Sequence, residues 1–328
     1  MAAIQFAKDI IKKLPYPLLA RAYYLYSRST FQRIQNIHIK KFGLPGAGNI
    51  NPVEVKKSDD LFILGSGSSI NGIDETRWRQ IRSGDSFGFN FWICHDHVPD
   101  LYAFELPLPQ TYGGMGKEVI DKLLFWAAER QEDYRETVKL VTDIGPGRMR
   151  TLDALPPIFR DNLYAGCTIP AFARNKKELH YYISFLKDRG VFEREHKIRS
   201  LFKYRATLSM MIALGVKLGY RRICLCGVDL NDSDYFYQDA EKYPDMVNFR
   251  SSLNTRTHAT LVKKPMLMPI DEVVYALDDL VVKPQGAKLF VENEHSALYP
   301  RLELFPREEA WENAASSSSN SSAATSPV

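Results

Sequence analysis

At 328 residues, 45% hydrophobic and 25% charged, the chain has ordinary globular composition and is sized for one large α/β domain or two modest ones. Its net charge of +4 is unevenly placed: residues 1–41 hold eight Lys/Arg against the single acid Asp9, a surplus of seven, which leaves the remainder at net −3. Basicity confined to one end gives no support to a nucleic-acid partner, and none is expected. Four cysteines are too few and wrongly spaced for a disulfide scaffold or a zinc site. Cys224 and Cys226 sit as C-x-C in an apolar run, expected to be reduced, buried and facing opposite sides of one strand. No apolar run approaches the roughly 20 residues of a membrane span, and no secretory signal pattern opens the chain. A cytoplasmic protein is expected.

Residues 1–42 mix basic residues with Ile, Leu, Phe and Tyr at helical spacing, and Pro15 and Pro17 are expected to divide them into two helices. A basic amphipathic helix with interfacial tyrosines suits an anionic membrane surface; the alternative is an arm packed on the domain or on a second subunit. GLPGAGNINP (43–52) reads as a linker, so residues 1–52 form the arm and its connection. From there to residue 310, short β-rich runs alternate with helices. Strands are predicted at 61–64, 86–92, 101–104, 138–141, 162–166, 221–228 and 287–291. Helices are predicted at 115–132, 175–188, 204–218 and 270–282. This alternation predicts a Rossmann-like, mostly parallel sheet flanked by helices. Residues 311–328 are Ser/Ala-rich and predicted to be disordered.

The first predicted strand runs into Gly65-Ser66-Gly67-Ser68-Ser69, a place where loop N–H groups and a helix start attract phosphate. A third glycine for a dinucleotide fingerprint is missing, since position 70 is Ile70. The next strand also ends in Asn90 where an acid would take a ribose diol. NAD is disfavoured, and the lack of a following G-K-[ST] excludes a P-loop. A second segment, YRATLSMMIALGVKLGYRRICLCGVDL (204–230), brings Thr207 and Ser209 to a helix entrance and ends a strand in Gly227-Val228-Asp229. It delivers Asn231, Tyr235 and Tyr237 to the same sheet edge.

These segments resemble, in order and spacing, the sialyltransferases, nearest to the bacterial lipooligosaccharide family. FILGSGSSINGID resembles the opening "strand–GNGPS–L–ID" segment, FGFNFW the strand whose asparagine contacts the nucleotide, and RATLSMMIALGVKLGYRRICLCGVDL the second nucleotide segment. RTHATLVKKP to ENEHSALY resembles the stretch that opens with the family's catalytic histidine. The resemblance covers residues 60–306 and implies a GT-A-type, inverting transferase that needs no metal. Its donor would be a CMP-linked acidic sugar, sialic acid or a relative such as Kdo, and its acceptor a glycan or glycolipid hydroxyl. It implies His258 as general base, with nucleotide contacts at residues 65–69, Asn90, Thr207, Ser209, Gly227 and Asp229. Acceptor or sugar contacts would fall at Glu105, Arg205 and Arg256. Departures are Ser66 for asparagine, Ser68 for proline, Asn231 for the tyrosine after the Gly-x-Asp strand end, and Glu105 for an acceptor-side asparagine. Phosphate stabilisation would then fall to Tyr235 or Tyr237.

Asp232-Ser233-Asp234 is a D-x-D of the kind that holds Mg²⁺ or Mn²⁺ on a diphosphate, less needed by a donor with one phosphate. His95 and His97 form an H-x-H read as loop polarity. A membrane-associated transferase of lipopolysaccharide or capsule biosynthesis is the expectation, peripheral to the inner face of the membrane, with a homo-oligomer left open. The alternatives are a Mg²⁺-dependent pterin-pyrophosphokinase-like or flagellin-modification enzyme, or a non-catalytic nucleotide-binding protein.

Overall fold

The computed structural model describes residues 15–107, 115–142, 149–194, 198, 200–231, 234–246, 249, 260–264 and 267–307. The strands are β1 (Asp60–Leu64), β2 (Asp85–Phe89), β3 (Leu101–Glu105), β4 (Val138–Thr142), β5 (Leu163–Gly166), β6 (Thr168–Pro170), β7 (Leu201–Lys203), β8 (Arg222–Cys226), β9 (Lys288–Val291) and β10 (Glu303–Leu304). Eight of them form one sheet in the order β10-β9-β8-β1-β2-β3-β4-β5, and every neighbouring pair is parallel. The short parallel pair β6–β7 stands apart. The protein is thus α/β with a Rossmann-like parallel sheet, the class that the alternation of strands and helices predicts.

The helices used below are α1 (Tyr16–Tyr26), α2 (Gln32–Lys41), α3 (Glu75–Ser83), α4 (Gly116–Glu129), α5 (Lys176–Lys187), α6 (Thr207–Leu218) and α7 (Ile270–Leu277). Strand side chains alternate between two hydrophobic layers. Leu61 and Ile63 of β1 face the layer of α5, α6 and α7, while Phe62 and Leu64 face that of α4 and the 3-10 turn Asn90–Cys94. Every residue of α6 is buried; all but Thr207, Ser209 and Lys217 are apolar, and those three are hydrogen-bonded, as a helix covered on all sides requires. Gly215 lets it reach β1, because a Cβ there would stand 2.6 Å from Leu61 Cδ2. Each Leu or Ile so buried contributes about 1.5–3 kcal/mol.

Two expectations change. Cys224 and Cys226 share one face, with sulfurs 3.7 Å apart, because a strand repeats every two residues. The strand expected at 86–92 ends at Phe89: Asn90 takes φ 57° and starts a 3-10 turn that tucks Phe91 and Trp92 under the sheet. Pro15 and Pro17 start α1, as prolines can because the first turn of a helix needs no N–H from them, and the helix expected before them lies outside the described residues. A π turn at Ser27–Phe31 joins α1 to α2. The stretch 43–52 lies along the sheet's edge, with Ala165 N of β5 donating to Pro45 O at 2.8 Å and Ala47 and Ile50 buried.

The H-x-H pair packs against two tryptophans. His95 stacks on Trp92 with ring centroids 4.4 Å apart and accepts at Nδ1 from His97 N at 3.0 Å, while His97 Nε2 and Ser86 Oγ are 3.1 Å apart. Burial pushes both imidazoles down, His95 to about 3, helped by His97 and Arg130, and His97 to about 4 against the pull of Asp100. Both are therefore neutral when folded, whereas the unfolded chain takes up protons below about pH 6.5. The unfolded state binds more protons in that range, so stability falls as pH drops from about 6.5 toward 4. Urea unfolding at pH 7.5 and 5 should show this loss, and His95→Phe, which keeps a ring against Trp92, should reduce it. An unchanged slope in that variant would refute the assignment.

Candidate functional site

The chain leaves β1 toward β2–β5 on one side and returns to β8 on the other, so the carboxyl ends of β1 and β8 mark the switch point where open α/β sheets bind ligands. The two loops there are pressed together. Gly65 N donates to Cys226 O at 2.7 Å and Gly67 N to Gly227 O at 2.8 Å. A Cβ on Gly65 would stand 2.5 Å from Gly227 O, and one on Gly67 would run into the Asp229 carboxylate. Gly227 itself has φ 62°, with Ile70 Cγ1 2.5 Å from its missing Cβ. Close approach of backbone to backbone is what all three glycines permit.

Asp229 completes the junction. Its carboxylate accepts from Ser69 N at 3.0 Å and from Ser69 Oγ at 2.5 Å, at the start of the 3-10 turn Ser68–Gly72. The amides expected to cradle phosphate at Gly65, Gly67 and Ser69 are thus bonded to Cys226, Gly227 and Asp229, and the protein's own carboxylate takes the anion position. Ser66 and Ser68 remain partly exposed beside them.

Two further segments converge on this point. Phe236 N donates to Ser66 O at 3.1 Å and Asn71 Nδ2 to Phe236 O at 2.9 Å, which stitches the tyrosine segment to the glycine loop. Tyr235 and Tyr237 stack with centroids 5.1 Å apart, but Tyr237 is 1% exposed among Phe91, Phe236 and Phe249, while Tyr235 is partly exposed. Tyr235 is therefore the member of the pair a ligand can reach. From beyond β9, Ser296 Oγ donates to Val228 O at 2.7 Å and Ala297 N to Asp229 O at 2.8 Å.

Next along the edge, partly exposed Asn90 follows β2, its carbonyl accepting from Tyr102 Oη. At the end of β3, Glu105 Oε1 accepts from Thr207 Oγ1 at 2.6 Å and pairs with Lys203 Nζ at 2.8 Å. Lys203 was not among the residues singled out from the sequence; its place in FKYRAT, two residues before Arg205, was the available signal. Arg205 has φ 67° and sits at the apex of a turn closed by Ala206 N donating to Tyr204 O at 2.7 Å. Its guanidinium donates to Val262 O at 2.6 Å, and burial lowers its pKa. Ser209, expected at the nucleotide, is fully buried: its hydroxyl accepts from Tyr204 N at 2.8 Å and meets Tyr204 O and Ala206 O at 2.9 Å. It fixes the entrance of α6 and does not reach the edge.

His258, Arg256 and Asp232 lie outside the described residues. Asp234 is described without its D-x-D companion. Among the described residues no three His, Cys, Asp or Glu side chains are grouped as a metal site.

The packing of the junction is open to measurement. Gly227→Ala should lose about 3 kcal/mol of stability through its positive φ and the Ile70 contact. Asp229→Asn should lose about 1–3 kcal/mol, because one amide cannot accept both Ser69 bonds. Urea unfolding midpoints equal to wild type would refute both. No protein-family model and no curated protein sequence matches the chain.

Proposed function

We propose that the chain is a GT-A-type glycosyltransferase of the sialyltransferase kind. It would move sialic acid, a relative or Kdo from a CMP donor to a glycan or glycolipid hydroxyl, with inversion and without a required metal. It would work peripherally at the inner face of a membrane. The observation that supports this reading most is the convergence of three separate chain segments at one switch point. These are Gly65–Ser69 with Asn90, Gly227–Asp229 with Tyr235, and Ser296–Ala297, and they follow the order of the segments that resemble the family.

On this reading the nucleotide lies between Ser66, Ser68 and Asn90, and the Tyr235 hydroxyl donates to the phosphate as it departs. Lys203, paired with Glu105, and Arg205, held to Val262 O, would set positive charge on the sugar side, suited to an acidic sugar. The acceptor oxygen attacks the anomeric carbon as the bond to the phosphate oxygen breaks. His258 takes the acceptor's proton, and CMP leaves with the electron pair.

Thermal shift against CMP, CDP, UDP, ATP and NAD should rank CMP first, and larger stabilisation by ATP or NAD would overturn the reading. CMP release that persists in EDTA separates it from a Mg²⁺- or Mn²⁺-dependent pyrophosphokinase-like enzyme. His258→Ala should keep CMP binding and lose roughly 10²–10⁴-fold in turnover. Tyr235→Phe should lower kcat with little change in melting temperature, whereas Tyr237→Phe should act through stability. Wild-type turnover in His258→Ala would assign the base elsewhere.

A further inference from the structure

The arm carries a surface that the sheet edge does not use. One side of α1 and α2 is fixed to the domain: Tyr16 Oη donates to Phe172 O at 2.6 Å, Gln32 Nε2 to Ser200 Oγ at 2.9 Å, and Thr168 N to Gln35 Oε1 at 3.0 Å. Leu19 and Ala20 are buried on that side. The other side exposes Leu18 (56%), Leu25 (64%), Tyr26 (54%), Ile34 (40%) and Ile37 (54%), half of the large hydrophobic side chains exposed among the described residues. Interleaved with them are Arg21, Arg28, Arg33, Lys40 and Lys41, all exposed, with Arg28 also donating to Ser200 Oγ at 3.2 Å, and no Asp or Glu occurs from residue 15 to 53. Arg28, Arg33 and Lys40 line a shallow groove of about 370 Å³.

We propose that this outward face of α1 and α2 is the docking surface for an anionic lipid membrane. Apolar side chains concentrated on so short a segment mark an interaction surface. The cations among them fit lipid phosphate and carboxylate headgroups, while leucine, isoleucine and tyrosine enter the acyl boundary. A second copy docked face to face would set five cations against five, which disfavours a symmetric dimer here. Because the opposite side is hydrogen-bonded to the domain, docking orients the whole protein. β7 joins the two regions: Ser200, which holds Gln32, precedes it, and Lys203, which holds Glu105, ends it, a path of roughly 10 Å. An acceptor carried by a lipid would then approach the site from this side, a point that rests on the proposed transfer; the docking surface itself does not.

The test is co-sedimentation of the full chain with phosphatidylcholine vesicles, with and without phosphatidylserine. Wild type should bind only the anionic vesicles. Arg21→Glu/Arg33→Glu/Lys40→Glu changes side chains with no bond to the described residues, so folding, checked by circular dichroism, should be kept. Its binding should fall on the order of 100-fold. Leu25→Ser/Ile37→Ser should weaken binding further at salt that screens the charges. Equal binding by the charge-reversed variant, or equal binding of wild type to neutral vesicles, would overturn the proposal. So would a wild-type dimer that the same substitutions dissociate and that ignores vesicles.

Discussion

The contact between the β1 and β8 loops is the constraint on which the site is built. Two backbones meet there directly, held by Gly65 N on Cys226 O, Gly67 N on Gly227 O, and the Asp229 carboxylate accepting from Ser69. A buried carboxylate is tolerated because it accepts two bonds at the start of a short turn, where amide dipoles favour negative charge. The neighbouring segments are tied to this junction. The tyrosine segment bonds to Ser66 and Asn71, the segment after β9 bonds to Val228 and Asp229, and the β2 loop lies beside them.

The same junction alters how the glycine loop works. Glycine after a strand usually signals that a ligand's phosphate comes close to the backbone. Here the backbone that comes close is the protein's own, and Asp229 supplies the negative charge. A ligand would therefore be met by side chains around the junction, by Ser66, Ser68, Asn90 and Tyr235, more than by the amides within it. Farther along, Glu105 is held by Lys203 and Thr207 at the ends of β3, β7 and the entrance of α6. An acid paired with one cation and one hydroxyl keeps that corner polar without leaving a charge unpaired.

Local signals carried much of this. β1, β8 and β9 show as apolar runs because both faces of a central parallel strand are covered, and α6 shows as a long apolar run closed by Gly219, whose φ of 85° only glycine adopts readily. Other elements left weak traces. β6, β7 and β10 have two or three residues each, too few for a period, and α3 is so rich in Arg that its buried Arg77 and Ile81 show no apolar stripe. Arg77 is buried because Phe305 O and Pro306 O, more than 200 residues away, accept its hydrogen bonds.

The sequence by itself determined the α/β class, the place of the glycine turn, and the clustering of positive charge at one end, since each depends on residue type and local spacing. Only the tertiary structure decided which groups are available. Ser209 and Tyr237 looked as accessible as Ser68 and Tyr235, yet one hydroxyl is tied to Tyr204 and one ring is enclosed by phenylalanines. Ser69 and Asp229 are 160 residues apart and meet only because β1 and β8 lie side by side. Exposure and hydrogen-bond partnership depend on what long-range packing brings up against a side chain, and local spacing carries no record of that.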